Sequence, residues 1–164
     1  MAAVFLSKHK YMEKIELTPN KIVNGSLTVW QESGPEVDVV MDLKALTFRP
    51  ESVGQIATFH VLDRMFLDEA VTALKNWHSC LAKGGKLYVV TDDFEYIARA
   101  FTGGDMDIDT FNRNHSHASQ FDRQSLCNMI IEAGFAEVNM RIWFDEVPGV
   151  LPRKHYELVI EATK

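Results

Sequence analysis

Hydrophobic positions recur along this chain with two spacings, and each spacing predicts one type of secondary structure. Short runs of apolar and β-branched residues, of which VDVVM and KLYVVT are the clearest, predict buried strands. Alternation of apolar and polar residues predicts a further strand near the end of the chain. The predicted strands are Lys14–Leu17, Leu27–Trp30, Val37–Met41, Gln55–His60, Lys86–Thr91, Ala136–Trp143 and Tyr156–Ala162.

Apolar residues at helical spacing predict three helices between these strands. The first helix has Asp68 as its predicted N-cap and ends at Gly84-Gly85, because glycine accepts the left-handed conformation that follows a helix. A short second helix covers Phe94–Phe101, and a third begins after Asp122 and ends at Gly134. Residues 102–120 are polar and have no sustained period, so a long irregular loop is expected there.

The order of these elements favours an α/β fold, in which helices join the strands of a mostly parallel sheet. No helix separates the last two strands, so they are expected to pair antiparallel. We therefore expect a single three-layer domain over residues 1–164, with a mostly parallel sheet that ends in an antiparallel strand pair.

Composition narrows the classes of partner that this domain is expected to have. The chain has 164 residues and a formal net charge of −6, and it contains no long basic run, which argues against nucleic-acid binding. Cys80 and Cys127 lie far apart, so neither a disulfide framework nor a zinc site is implied and a cytoplasmic setting is expected. The initial MAAVFLSKHK does not match a signal peptide, and no apolar run of about 18 residues predicts a membrane span.

Two stretches carry a resemblance to a known superfamily. Residues 37–101 combine a strand ending in Asp-Leu, the segment HVLDR, a helix, and AKGGKLYVVTDDFEYIARA, and HASQFDRQSLCNMIIEAGFAEV follows further on. In this order and spacing they resemble small class I S-adenosylmethionine-dependent methyltransferases, over roughly residues 14 to 143. The resemblance implies a Rossmann-like methyltransferase fold with S-adenosylmethionine as its cofactor.

The sequence departs from that family at the positions that contact the cofactor. Thr18-Pro19-Asn20 stands where the resemblance implies Gly-Cys-Gly, and Trp30 stands where it implies the acid that binds the ribose hydroxyls. Pro19 lacks an N–H donor, and the Trp30 side chain cannot accept a hydrogen bond. Only nine residues, 18–26, separate the first two strands, which is too few for the usual crossover helix and predicts a truncated fold.

The resemblance implies a cofactor site at the carboxyl ends of the strands, and each candidate residue also has a structural interpretation. Asp42 is as well explained by a turn, and His60 by packing in the crossover, while Glu32 is a substitute for the missing acid if the chain bends. The implied cofactor contacts are Thr18, Asn20, Glu32, Asp42, Leu43 and His60.

Two further residues are candidates for contact with substrate. Asp92 belongs to a carboxylate pair after a strand, where Asp93 alternatively caps the next helix. His117 matches a histidine of the family that precedes the Phe-Asp helix start. Asp63-Arg64 is expected to be an exposed pair. No metal site is expected, because His115-x-His117 has no third ligand fixed by spacing.

Two functions therefore stay open at this point. One is a methyltransferase that uses S-adenosylmethionine and acts on a small-molecule or glycan-linked acceptor. The other is a non-catalytic binding or assembly module that has lost the cofactor, for which a homodimer is expected if the missing helix exposes apolar surface.

Overall fold

A computed structural model describes residues 11–23, 25–115, 117–140 and 156–164 of the chain. The strands are β1 (Met12–Leu17), β2 (Leu27–Trp30), β3 (Val39–Val40), β4 (Val53–Phe59), β5 (Leu81–Asp92), β6 (Ala136–Met140) and β7 (Glu157–Thr163). The helices are α1 (Leu67–Cys80), α2 (Phe94–Gly103), α3 (Ile108–Asn114) and α4 (Arg123–Glu132), and a 3-10 turn covers Leu62–Arg64.

The strands form one seven-stranded sheet in the order β3-β2-β1-β4-β5-β7-β6. Strands β1 to β5 pair in parallel, and β7 pairs antiparallel with both β5 and β6. The predicted α/β class, with a mostly parallel sheet that ends in an antiparallel pair, is confirmed.

One face of the sheet supports the hydrophobic core. The strand register places Ile15, Ile56 and Leu87 side by side across β1, β4 and β5. These residues belong to the same buried cluster as Trp77 of α1 and Ile130 of α4, and all five are fully buried. Helices α1 and α4 therefore contribute their buried side chains to the core on this face.

The described residues of the connection between β1 and β2 form no helix, and Glu16 anchors this connection instead. The buried Glu16 carboxylate accepts hydrogen bonds from the amides of Ile22 and Val23, at 3.1 and 2.8 Å, and from the Thr28 hydroxyl at 2.9 Å. The chain at Ile22 and Val23 is thus folded back onto the Glu16 side chain of β1. The truncation that the sequence predicts is confirmed at this connection.

The sheet face that Glu16 occupies is polar at this end. Side chains alternate between faces along a strand, and the register therefore places Lys14, Glu16, Thr28 and Gln55 on the face opposite the core. These side chains do not form the apolar surface that was expected at the missing helix, and the homodimer stays a prediction.

Three details of the predicted helices are wrong. Helix α1 begins at Leu67, and the amide of Phe66 donates to the Glu69 carboxylate at its first turn, so Asp68 is not the N-cap. The helix ends at Cys80, and Gly84-Gly85 lie within β5 at an irregularity opposite Val53 and Gln55. Residues 102–120 include a helix, α3, because the Asp107 side chain caps it by accepting the Thr110 amide at 2.7 Å.

The boundaries of α4 agree with the prediction. Asp122 caps it by accepting the Ser125 amide at 2.7 Å, and Gly134 follows it at φ +105. Three predictions concern residues outside the described ranges and stay predictions. They are that 1–10 is not a signal peptide, that the sixth strand continues over 141–143, and that the prolines and glycine of 148–152 mark a connection. Within the described ranges, no helix has the length and apolarity needed to cross a membrane.

Candidate functional site

Polar side chains collect at the carboxyl ends of β4 and β5. His60 directly follows β4, and Asp92 is the final residue of β5. Because β7 runs antiparallel to β5, its first residue, Glu157, pairs with Asp92 at the same edge of the sheet. In open α/β sheets this edge is where ligands bind.

Six side chains meet at this edge and are called here the histidine–carboxylate cluster. The ring nitrogens of His60 lie 3.1 Å from an Asp63 oxygen and 3.1 Å from a Glu157 oxygen. One Asp92 oxygen lies 2.7 Å from His115 Nδ1 and 3.2 Å from His117 Nε2. The members of the cluster are His60, Asp63, Asp92, His115, His117 and Glu157.

His60 lies between two carboxylates, which favours its charged form. Burial alone lowers the pKa of an imidazole, but the hydrogen bonds to Asp63 and Glu157, together with the nearby charge of Asp92, raise the pKa of His60 to about 9. His60 also has a φ of +51, in the left-handed region, which is uncommon outside glycine. A strained, charged histidine between carboxylates indicates a built site more than simple crossover packing.

Asp92 orients two histidines at once. His115 is buried and packs edge-to-face on Tyr156, with ring centroids 5.2 Å apart. His117 keeps 20% of its side chain exposed, and in the described part of the chain no hydrogen bond involves its Nδ1. When Asp92 holds the Nε2–H of His117, Nδ1 carries the lone pair and can accept a proton from a ligand.

Asp63 does not form the exposed pair with Arg64 that the sequence suggested. Its side chain is 1% exposed, and it faces His60 and His117 at 3.1 and 3.8 Å, while Arg64 is exposed. Its other oxygen, Oδ1, is buried with no hydrogen-bond partner among the described residues. Asp93, in contrast, caps α2 through the Glu95 amide at 3.0 Å. Within the described ranges no group of side chains is arranged to hold a metal ion.

A second feature, a cavity of about 120 Å³, lies where the resemblance places the adenosine end of the cofactor. Asp42 and Leu43 line it, as does Trp30, while Thr18, Asn20, Glu32 and His60 are not in its wall. The Asp42 carboxylate accepts the Lys44 amide at 2.9 Å, which is the turn-forming role, and the Leu43 carbonyl accepts the Trp77 indole N–H at 2.7 Å. The remaining lining residues are Gln31, Lys44, Val61, Arg64, Met65 and Glu69.

The chemistry of this lining fits an adenosine better than its size does. Gln31 and Asp42 offer oxygens for ribose hydroxyls, and Leu43, Val61 and Met65 offer an apolar surface for a base. Small-molecule pockets usually measure about 300–1,000 Å³, however, and this cavity is smaller. Lys44 and Glu69, both in the wall, form an ion pair of 2.9 Å that has to part before the cavity widens.

The turn after β1 is closed toward a ligand. Thr18 is buried, with its amide on the Val29 carbonyl at 3.3 Å, and the Asn20 amide lies 3.4 Å from the Thr18 hydroxyl. The amides of Ile22 and Val23 are bonded to Glu16, so they are not presented to a cofactor as the amides of a glycine loop are. Asn20 and Glu32 are exposed.

Comparison with solved structures identifies the fold as that of class I S-adenosylmethionine-dependent methyltransferases. One similar structure is a methyltransferase from Thermotoga maritima that is described as a possible histamine N-methyltransferase. It has a TM-score of 0.63 and 19% identity over 93% of this chain and 82% of that one. A second, from Archaeoglobus fulgidus, has a TM-score of 0.61 and 12% identity over 94% and 87% of the two chains. A third, from Mesorhizobium loti, has a TM-score of 0.59 and 16% identity over 97% and 94%.

These likenesses concern the fold alone, because the identities are low. No protein-family model matches the sequence, and no curated protein matches it. The class of fold is therefore established by three-dimensional similarity, and the function has to be argued from the site.

Proposed function

We propose that this chain is a methyltransferase that uses S-adenosylmethionine and transfers a methyl group to a hydroxyl-bearing acceptor at the histidine–carboxylate cluster. The observation that supports this most is the Asp92–His117 contact of 3.2 Å at the carboxyl edge of β5. It gives the edge of a methyltransferase fold an imidazole that is oriented by a carboxylate, with a nitrogen open on its other side. That pair of groups is the usual arrangement of a general base.

The residues of the chain divide the work as follows. Asp92 holds the His117 ring in the tautomer that leaves Nδ1 unprotonated, and His117 takes the acceptor's hydroxyl proton at that atom. His60, whose pKa its bonds to Asp63 and Glu157 raise, places a positive charge among the carboxylates of the cluster. S-adenosylmethionine, when bound, would supply the electrophilic methyl group for the acceptor oxygen, with S-adenosylhomocysteine as the second product.

Cofactor contacts are proposed on the wall of the 120 Å³ cavity. Asp42 and Gln31 supply the hydrogen-bonding groups for the ribose, and Leu43 supplies apolar contact beside the base. Gln31 takes the place that the sequence argument gave to Glu32. Thr18 and Asn20 contribute only through the shape of the turn, and His60 belongs to the acceptor side.

A non-catalytic binding module is the second candidate, and the closed turn favours it. Glu16 occupies the amides of Ile22 and Val23, and the cavity is small. Under this proposal the fold is retained and no cofactor binds.

Calorimetric titration with S-adenosylhomocysteine separates the two. The methyltransferase proposal expects saturable heat, weakened about tenfold by Asp42→Ala, while Asp68→Ala, an exposed aspartate outside the cavity, leaves affinity unchanged. Fluorescence from the wall residue Trp30 should change on binding, and Trp30→Phe should lose that optical signal. No heat at millimolar ligand would reject the methyltransferase in favour of the module.

A further inference from the structure

A second cavity, of about 220 Å³, lies between α2 and α3. All of its lining residues belong to these two helices, and the only one with a polar side chain, Thr102, donates its hydroxyl to the Ala98 carbonyl at 2.9 Å. The side chains of the wall therefore offer a ligand no free hydrogen-bond donor. The apolar lining residues are Phe94, Ile97, Ala98, Phe101, Ile108 and Phe111.

Large apolar side chains around this cavity are exposed to an unusual degree. Phe94 is 40%, Phe101 45% and Ile108 54% exposed, although aromatic and aliphatic side chains gain free energy when they leave water. Three such residues on one wall form an apolar patch of the kind that marks a binding site.

The cavity and the histidine–carboxylate cluster are parts of one segment. Phe94, in the cavity wall, follows Asp92 by two residues. Phe111, also in the wall, accepts the amide of His115 at 2.8 Å through its carbonyl. The side chains of Asp92 and His115 meet at 2.7 Å, so each of the two helices that form the cavity is joined within a few residues to a member of the cluster.

We infer that the acceptor of the proposed methyl transfer is a hydrophobic hydroxyl compound, preferably aromatic, whose ring lies in the α2–α3 cavity and whose hydroxyl faces His117. This inference rests on the proposed function and specifies its substrate class. An aromatic body fits a small apolar wall, and its one hydroxyl reaches the polar residues next to that wall.

A glycan-linked acceptor fits this cavity poorly. A sugar ring carries several hydroxyls, and each hydroxyl buried without a partner costs about 1–3 kcal/mol. The one hydroxyl of the α2–α3 wall, that of Thr102, already donates to a carbonyl, so the wall has no free donor for them and a single acceptor atom. The choice between small-molecule and glycan acceptors, which the sequence left open, is thereby made in favour of an apolar small molecule.

The test is a titration of the protein with 2-naphthol in the absence of any methyl donor, in which binding is monitored by the fluorescence of the naphthol. Saturable binding is expected for the unchanged protein. Ala98→Leu, which fills the cavity, should weaken it at least about tenfold, and Ile108→Ala should weaken it about five- to tenfold.

Ile131→Ala is the matched control, because Ile131 is 55% exposed, nearly the same as Ile108, but belongs to α4 outside the cavity. It should leave the affinity unchanged, and methyl β-glucoside should not displace the naphthol. Absence of saturable binding, equal weakening by Ile108→Ala and Ile131→Ala, or displacement by the glucoside would overturn the inference.

This experiment fails separately from the test of the proposed function. Binding of S-adenosylhomocysteine without binding of naphthol overturns the acceptor class and leaves the methyltransferase proposal standing. Naphthol binding without S-adenosylhomocysteine binding retains an apolar ligand site and rejects the transfer chemistry.

Discussion

Asp92 and His115, 23 positions apart in the sequence, form a buried hydrogen bond of 2.7 Å that closes the segment containing α2 and α3. Asp92 ends β5, and His115 follows α3. One side-chain contact therefore fixes both ends of a helical pair on the sheet and also brings His117 to the same carboxylate.

We expect this pair to be energetically coupled. A double-mutant cycle with Asp92→Ala and His115→Ala, measured by urea unfolding, should give a coupling free energy of about 1–3 kcal/mol, because the bond is buried and charge-assisted. The exposed Glu95–Arg99 pair on α2 is the control, and its coupling should be about 0.5 kcal/mol or less. Equal coupling in the two pairs would contradict the proposed role of Asp92.

Stability is expected to fall between about pH 6.5 and pH 9 because of His60. Burial opposes its charge, but Asp63 and Glu157 raise the pKa of His60 to about 9, above the ordinary value of about 6.5 in the unfolded chain. Its stabilising contribution is thus complete below about pH 6.5 and is lost as pH rises through about 9, with at most about 3 kcal/mol involved.

The free energy of unfolding at pH 6 and pH 9.5 tests this expectation. His60→Gln should flatten the loss over that interval. His78→Gln should not, because burial and the nearby Lys164 lower the pKa of His78, so that any contribution of His78 raises stability with pH instead of lowering it. A pH dependence that His60→Gln leaves intact would assign the effect to another group.

Glu16 is expected to stabilise the helix-free connection between β1 and β2. Glu16→Ala leaves two backbone amides and the Thr28 hydroxyl without their acceptor, and should lower the free energy of unfolding by about 2–4 kcal/mol. Glu13→Ala, an exposed glutamate on the same strand, should change it by about 0.5 kcal/mol or less. Similar losses for the two variants would show that the connection does not depend on the carboxylate.

Replacing Trp30 by an acid is expected to strengthen cofactor binding. Trp30 ends β2 and lines the 120 Å³ cavity, so Trp30→Glu places a carboxylate where ribose hydroxyls are proposed to lie. Affinity for S-adenosylhomocysteine should rise about ten- to a hundredfold by calorimetry. Trp30→Phe controls for loss of the indole, and a folded Trp30→Glu that binds no tighter than this control would place the ribose elsewhere.

Replacing Gly134 by alanine is expected to lower the stability of the fold. Its φ of +105 is unfavourable for any side chain, and an added Cβ would lie 3.4 Å from the His78 ring. Gly134→Ala should lower stability by about 1–2 kcal/mol in urea unfolding. Gly103→Ala is the control, because Gly103 ends α2 and a Cβ added there would lie 3.6 Å from the nearest atom, an Asp105 oxygen. This variant should be neutral or slightly stabilising. Equal losses of stability in the two variants would argue against backbone strain at Gly134.

The sequence was sufficient for the order of the strands along the chain, because each strand carries either an apolar run or an alternation of apolar and polar residues. The sheet edge that would meet a ligand was also predictable, since parallel strands place their carboxyl ends together. Helix α3 was missed because no apolar repeat marks it: none of its residues is buried, and its clearest local signal was the capping residue Asp107. The end of α1 was misplaced because Gly84-Gly85 serves a strand irregularity and not a helix cap.

The site was only partly visible from the sequence. Asp92, His60 and His117 were candidates by position, but Glu157 lies 97 positions from His60, and only the antiparallel register of β7 brings it there. Asp63 was judged exposed because a 3-10 turn, which buries it, has no sequence period. Gln31 was not a candidate because the resemblance implies an acid at the ribose hydroxyls. An amide oxygen can also accept a hydrogen bond from a hydroxyl, and Gln31 lines the cavity.

The position of β7 has a consequence for how the chain assembles during synthesis. β7 lies between β5 and β6, yet it is translated after both of them. Until it emerges from the ribosome, β6 lacks the one strand that pairs with it among the described residues, and β5 carries an open edge, which is a condition that favours aggregation of nascent chains. Loss of β7 therefore leaves β6 without its partner strand as well, and the nascent chain completes the cluster around His60 only after Glu157 has been translated.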